Sequence, residues 1–136
     1  MTKKESTISL QLSVKQAQTL SRACELVSRL YMGQVEELRF ISKASWEDCQ
    51  KIKKMCFPEL AVNEYYGITS EIGTDESNQL WDIYQVLRYY LAWKGQPNTP
   101  ETRKWPEQMQ VQFDKPRRTS VECALPRIKS DAQEIS

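Results

Sequence analysis

The chain contains no histidine, and this absence removes much of the usual catalytic chemistry. Histidine is the commonest general acid or base near neutral pH, so histidine-dependent serine and cysteine triads are excluded, as are most zinc hydrolases. A zinc site would need thiolates alone, and the four cysteines are scattered without a CxxC pair. We therefore expect no enzyme, no catalytic residue and no metal site. Carboxylate chemistry based on Glu36, Glu37 or Asp82 is the last alternative.

Glycine is also scarce, and long apolar runs are missing. The four glycines are dispersed and none stands in the spacing of a phosphate-binding loop, so we expect no nucleotide cofactor. No apolar stretch approaches the roughly 20 residues that cross a bilayer, which predicts no membrane contact. The start, MTKKEST, is not followed by the apolar run of a secretory signal. These absences predict a cytoplasmic location.

A helix is predicted to begin at Ser13. Ser13 and Gln16 have the spacing of a capping box, in which each side chain bonds to the backbone of the other residue. Gly33 weakens or ends this helix, and the apolar pattern of residues 35–41 fits either a kinked extension or a short second helix. The apolar positions that recur at helical intervals are Ala17, Leu20, Cys24, Val27, Leu30 and Tyr31.

A further helix is predicted after Ser45. Asp48 supplies the third position of its capping box, and Pro58 ends the helix because the residue before a proline disfavours helical backbone. Cys24 on the first helix and Cys49 on this one fall on apolar faces. We expect both to be buried as free thiols that act as small hydrophobic groups.

The run WDIYQVLRYYLAW, from Trp81 to Trp93, is the most aromatic part of the chain. Its spacing predicts a helix capped by Thr74 or Asp75. Because this helix is apolar on nearly all sides, it is either the central element of a domain or is covered by a second copy. We expect a core built around residues 14–31 and 76–93, and a homo-oligomer, most simply a dimer, that covers surplus aromatic surface.

Two segments show the alternation of a strand. Apolar and polar residues alternate from Ile8 to Leu12 and again from Met109 to Phe113, and residues 119–125 supply a third candidate. The predicted fold is mainly α with a small β component (α+β): three or four helices and a small antiparallel β patch formed by the N-terminal strand and the tail. Residues 1–95 form the helical core domain with its N-terminal strand. Residues 96–136 form an extended Pro-rich tail packed on the same domain.

Charge is unevenly distributed. Six acidic side chains and no basic one lie between Glu59 and Asp82, while both ends of the chain are mildly basic. This acidic block is either a surface that steers a partner or a feature that the fold neutralises internally. Glu36, Glu37, Asp82 and Arg88 are the charged groups expected nearest to apolar surface, where they form a polar pocket, a buried ion pair or merely the rim of the core.

The tail interleaves basic and aromatic residues, which is typical of a nucleic-acid surface, although acidic residues and a pI near 7.6 argue against a dedicated one. Its Arg117-Arg118-Thr119-Ser120 also matches the target of a basophilic kinase.

The order of LSRACELVSRLYMGQVEEL, then WDIYQVLRYYLAW, then a tail with FDKPRRTS and LPRIK resembles small accessory proteins of bacteriophage genomes. The resemblance covers most of the chain and transfers no site residue. It implies a protein made in the cytoplasm of an infected bacterium that occupies a host protein or a part of host defence.

The predicted function is therefore that of a non-catalytic protein–protein interaction protein that binds or inhibits a host protein. The alternative is a nucleic-acid-binding accessory factor that uses the basic tail. The predicted interaction residues are Trp81, Tyr84, Arg88, Tyr89, Trp93, Trp105, Arg117 and Arg118.

Overall fold

The computed structural model describes residues 5–94 and 111–129. It contains three α-helices, α1 (Val14–Tyr31), α2 (Trp46–Cys56) and α3 (Asp75–Trp93), within these ranges. Two 3₁₀ helices accompany them, the first over Val35–Phe40 and the second over Val111–Phe113. The predicted mainly helical fold is confirmed.

The core is an antiparallel pair formed by α1 and α3, which have the most extensive contact of any two elements described. Tyr31 at the end of α1 donates a hydrogen bond of 2.7 Å to Glu76 at the start of α3. At the opposite end, Val14 and Leu91 line one shared cavity. The prediction that residues 14–31 and 76–93 form the core is confirmed. Each long helix therefore buries one face against the other.

Capping boxes begin all three α-helices. Ser13 with Gln16 and Ser45 with Asp48 exchange the predicted hydrogen bonds. Thr74, rather than Asp75, caps α3, and its partner is Ser77. These local bonds satisfy backbone N–H groups that the first turn of a helix leaves without partners, which fixes where each helix begins.

Gly33 ends α1 and creates the turn into the first 3₁₀ helix. Its φ of +86° is a conformation that side chains with a Cβ rarely adopt, and an added Cβ would lie 2.5 Å from Leu60 Cδ1. The Tyr66 N–H donates to the Met32 carbonyl at 2.8 Å and ties the later loop to the same turn. A short second helix, and not an extension of α1, follows the glycine.

The small α2 packs against the first 3₁₀ helix. Cys49 on α2 is fully buried and Cys24 on α1 is 4% exposed, which confirms the predicted burial of both. Burial raises the pKa of the Cys24 thiol, because an apolar environment disfavours the thiolate.

The predicted β patch is not shown by the described residues. Residues 5–12 and 119–125 have no regular secondary structure, Val111–Phe113 is a 3₁₀ helix, and Met109 lies outside the described ranges. Phe113 packs edge-on against Trp93 at 5.2 Å between ring centroids, so this turn packs on α3. The N-terminal segment and residues 119–125 nevertheless lie close together, since a hydrogen bond to the Glu5 carboxylate raises the pKa of the Cys123 thiol.

None of the helices in the described ranges combines the length and the apolar character needed to cross a bilayer.

Candidate functional site

The aromatic residues of α3 divide between two sides of the helix. Trp81 and Tyr84 face α1, with ring centroids 4.9 Å apart. The rings of Trp93 and Tyr89 lie 6.4 Å apart and tilted by 60° on the other side, where Trp93 Nε1 donates to the Phe113 carbonyl at 3.4 Å. Trp93 is 8% exposed and the other aromatic residues of α3 are half-buried. The chain itself therefore covers Trp93, and it covers the other four rings only in part.

Arginine and aromatic side chains alternate along the first of these sides. The Arg29 guanidinium lies 5.6 Å from the centre of the Trp81 ring, and that of Arg88 lies 5.2 Å from the centre of the Tyr84 ring. Such cation–π contacts contribute roughly 0.5–2 kcal/mol each, depending on exposure. They place two cations on aromatic surface between α1 and α3.

An open groove of about 450 Å³ lies beside these arginines, between α1, the first 3₁₀ helix and α3. Phe40 forms its rim and is 62% exposed, which is unusual for so large an apolar side chain. Leu26 and Leu91 add apolar wall. The charged residues of the lining are Arg22, Glu25, Glu37 and Arg88.

The groove's acidic side chains have a partner, whereas its arginines have no ion pair. Glu25 bonds to Arg29 at 3.0 Å, and a Glu37 oxygen lies 3.9 Å from Arg29 Nε. Burial acts to lower the pKa of Arg29, but these carboxylates outweigh it and raise the pKa above its ordinary value. Arg22 and Arg88 make no ion pair among the described residues, and the buried Nε of Arg88 has no hydrogen-bond partner.

A second polar site attaches the C-terminal segment to α3, and we call residues 115–123 the strap. Asp82 is 2% exposed and accepts hydrogen bonds from the backbone N–H groups of Thr119 at 2.8 Å and Ser120 at 3.0 Å. The Thr119 hydroxyl has two acceptors in reach, Asp82 at 2.6 Å and the Asn78 carbonyl at 3.0 Å. Backbone donors thus satisfy a buried carboxylate.

Gln85 and Asp75 also bind the strap, and we call Asp75, Asp82 and Gln85 together the clasp. Gln85 donates to the Arg117 carbonyl at 2.9 Å and accepts from the Arg117 N–H at 3.0 Å, as a neighbouring strand would. Asp75 accepts the Val121 N–H at 2.8 Å and the Ser120 hydroxyl at 3.0 Å. Desolvation acts to raise the pKa of Asp75, but hydrogen bonds from Gln79 and the strap lower it overall.

The clasp decides the position of the two predicted tail arginines. The Arg117 side chain is exposed, and the Arg118 guanidinium donates to the carbonyls of Ser120 at 2.9 Å and Val121 at 3.1 Å. Ser120, the residue that the kinase motif would modify, is 3% exposed. A kinase would reach its hydroxyl only after the strap detached. Neither observation adds to the nucleic-acid alternative, which stays a prediction.

A buried ion pair joins α2 to the first 3₁₀ helix. Lys53 is 2% exposed, and its Nζ lies 2.5 Å from Glu36 Oε1 and donates to the Glu64 carbonyl at 2.9 Å. Gln50 donates to the same Glu36 oxygen at 2.7 Å. Burial acts to raise the pKa of Glu36, but these hydrogen bonds outweigh it and lower the pKa. The pair fixes the 3₁₀ helix that carries Phe40.

The structure brings together only some of the predicted site residues. Arg88 lines the groove and contacts Tyr84, Trp81 lines a separate cavity beside Arg29, and Tyr89 and Trp93 lie on another side of α3. Trp105 lies outside the described residues. Glu36, Glu37 and Asp82 each have different partners, so they form no joint carboxylate site in the described chain.

Sequence reasoning missed Lys53 and the clasp, although each left a signal. Lys53 stands four residues after Cys49 on the apolar side of α2. Asp75, Asn78, Asp82 and Gln85 stand at helical intervals and form a polar stripe on an aromatic helix.

The described residues contain no group of three or more potential metal ligands from histidine, cysteine, aspartate and glutamate. Comparison of the chain with protein-family models, curated proteins and solved structures found no match.

Proposed function

We propose that this protein is a non-catalytic binding protein that holds a partner protein in the groove between α1, the first 3₁₀ helix and α3. The resemblance to phage accessory proteins supports a host protein, or a component of host defence, as the partner. The observation that carries the proposal is Arg88, whose buried Nε has no acceptor at the edge of an open, partly apolar groove. The Arg88 guanidinium makes no ion pair among the described residues, so a carboxylate or carbonyl of a bound segment would supply its charged or polar partner.

The groove also defines the chemistry of its partner. Arg22 and Arg88 have no ion pair in the described chain, so they favour a segment that presents carboxylates or backbone carbonyls. Phe40, Leu26 and Leu91 favour apolar side chains on the same segment. Arginine and aromatic residues are also the types that contribute most at protein interfaces. A segment that alternates acidic and apolar residues matches this lining best.

The test is affinity capture by the full-length chain from extracts of its natural host. Wild type is compared with Phe40→Ser and Arg88→Gln, and the matched control is Met55→Ser, since Met55 is 81% exposed on α2 and does not line the groove. We expect one captured protein that wild type and the control retain and both groove variants lose. Equal capture by all four chains would place binding on another surface and contradict the proposal.

Binding strength gives the same test in quantitative form once the partner is purified. Each groove substitution should raise the dissociation constant at least tenfold, because an interface anchor contributes about 2 kcal/mol or more and about 1.4 kcal/mol corresponds to a factor of ten. The nucleic-acid alternative predicts instead a labelled DNA or RNA shift that weakens steeply as salt rises, with no effect of Phe40→Ser.

A further inference from the structure

The N-terminal segment exposes large apolar side chains that its own chain does not cover. Ile8 is 97% exposed and Leu10 is 73% exposed, while Leu12 is half-buried. Within the part of the chain that the structure describes, no backbone hydrogen bond involves residues 8–12. A segment with strand-like alternation therefore retains free donors and acceptors along its whole length.

A cavity with a mixed polar and apolar lining lies directly beside this segment. Its volume is about 190 Å³, and it is partly open to solvent. Leu10 and Leu12 lie on one edge, and Leu87, Leu91 and Tyr90 of α3 form its wall. Its remaining charged lining is Arg127 and Lys129, so it contains no acidic side chain. Exposed apolar side chains thus lie beside a cavity whose α3 wall is mostly apolar.

We propose that residues 8–12 pair with the same residues of a second copy as a two-stranded antiparallel ribbon. The sequence is self-complementary when Leu10 lies opposite Leu10 of the other copy. Ile8 then lies opposite Leu12, and Ser9 lies opposite Gln11. Because side chains alternate between the two faces of a strand, all apolar residues of both copies share one face.

This register places Ile8 of the second copy over the cavity. Leu12 lines the cavity, and residues directly opposite on paired strands have Cβ atoms about 4.5–5.5 Å apart. The second copy's Ile8 would therefore be covered by Leu87, Leu91 and Tyr90. An isolated pair of strands is marginal in water, and this contact with α3 supplies the apolar support that a ribbon needs.

Charge is compatible with a second copy as the occupant. Residues 6–14 contain no charged side chain, so symmetric pairing brings no like charges together. The cavity and the groove share Leu91, but neither Phe40 nor Arg88 lines the cavity, so the substitutions that test the two proposals differ.

The first test measures the mass of the full-length protein by sedimentation equilibrium over a range of micromolar concentrations. We expect a monomer–dimer equilibrium for wild type and for the control Met55→Asp. Ile8→Asp should raise the dissociation constant of the dimer roughly 100-fold, because two isoleucines leave the interface and each contributes about tenfold. A wild-type monomer at every concentration, or an Ile8→Asp dimer as tight as wild type, overturns the proposal.

The second test addresses the register by disulfide formation in a chain with Cys56→Ser and Cys123→Ser. Two Leu10→Cys residues would lie opposite each other, close to the Cβ separation that a disulfide requires. Two Ser9→Cys residues would be diagonal neighbours about 7–8 Å apart, which is too far. We expect a covalent dimer of the first variant under mild oxidation. Equally fast cross-linking of the second variant overturns the register.

Discussion

Replacing Asp82 with alanine tests whether the clasp holds the C-terminal segment on α3. The substitution removes the acceptor of the Thr119 and Ser120 N–H groups, while the Thr119 hydroxyl keeps the Asn78 carbonyl as its acceptor. Hydrogen bonds to a charged group contribute about 1.5–3 kcal/mol each, which sets an upper limit near 6 kcal/mol. Loss of the buried charge returns part of this amount, because its desolvation cost disappears. We expect the free energy of unfolding to fall by about 3 kcal/mol.

The measurement is chemical denaturation, with Glu122→Ala as the matched control. Glu122 carries the same charge two residues after Ser120, but its side chain is exposed. Asp82→Asn keeps the shape and one carbonyl oxygen, so we expect it to lose about 1–2 kcal/mol. This intermediate value would separate the loss of an acceptor from the loss of packing.

Limited digestion with trypsin measures detachment of the strap from α3 directly. Arg117 and Arg118 lie in the strap, whose backbone Gln85 and Asp82 hold against α3. If the strap opens by itself, a loss of about 3 kcal/mol increases cleavage there roughly 100-fold. Unfolding and cleavage of Asp82→Ala that match those of Glu122→Ala would refute the reasoning.

Two further predictions concern the other buried charges. Lys53→Met should reduce the free energy of unfolding, measured in urea, by about 2–4 kcal/mol, since Glu36 would keep a poorly solvated charge. The double variant with Glu36→Gln should recover much of that loss, and equal stability of the single and double variants would contradict the prediction. Acid should also destabilise the fold, because the lowered pKa values of Asp75 and Glu36 favour the folded state only above their unfolded values of roughly 4. This contribution should disappear as the pH falls through the lowered folded values, and Asp75→Asn should flatten the acid side of a stability–pH curve measured by denaturant titration.

The local features of the fold could be predicted from the sequence because their causes are local. A capping box needs two residues three apart, so the starts of α1 and α2 were visible at Ser13 and Ser45. Gly33 marked the end of α1 for a similar reason, since few residues adopt its positive φ. Helical periodicity likewise identified the two helices that form the core.

The predicted β patch shows the limit of that reasoning. Alternation says which side chains share a face, but not whether a partner strand lies alongside. Phe113 packs against Trp93, and the Arg117 backbone forms its hydrogen bonds with the Gln85 side chain. The sequence likewise could not reveal the groove, because Phe40 and Arg88 line it from elements that lie far apart along the chain.

The clasp imposes unequal constraints on the two segments that it joins. Gln85 and Asp75 bind backbone atoms of Arg117 and Val121, and Val121 leaves 81% of its own surface in solvent. Substitutions of Arg117 and Val121 should therefore accumulate with little effect on stability, whereas a substitution of Asp82 should be selected against. The side chains of the strap can thus change during evolution while the sequence of α3 stays the same.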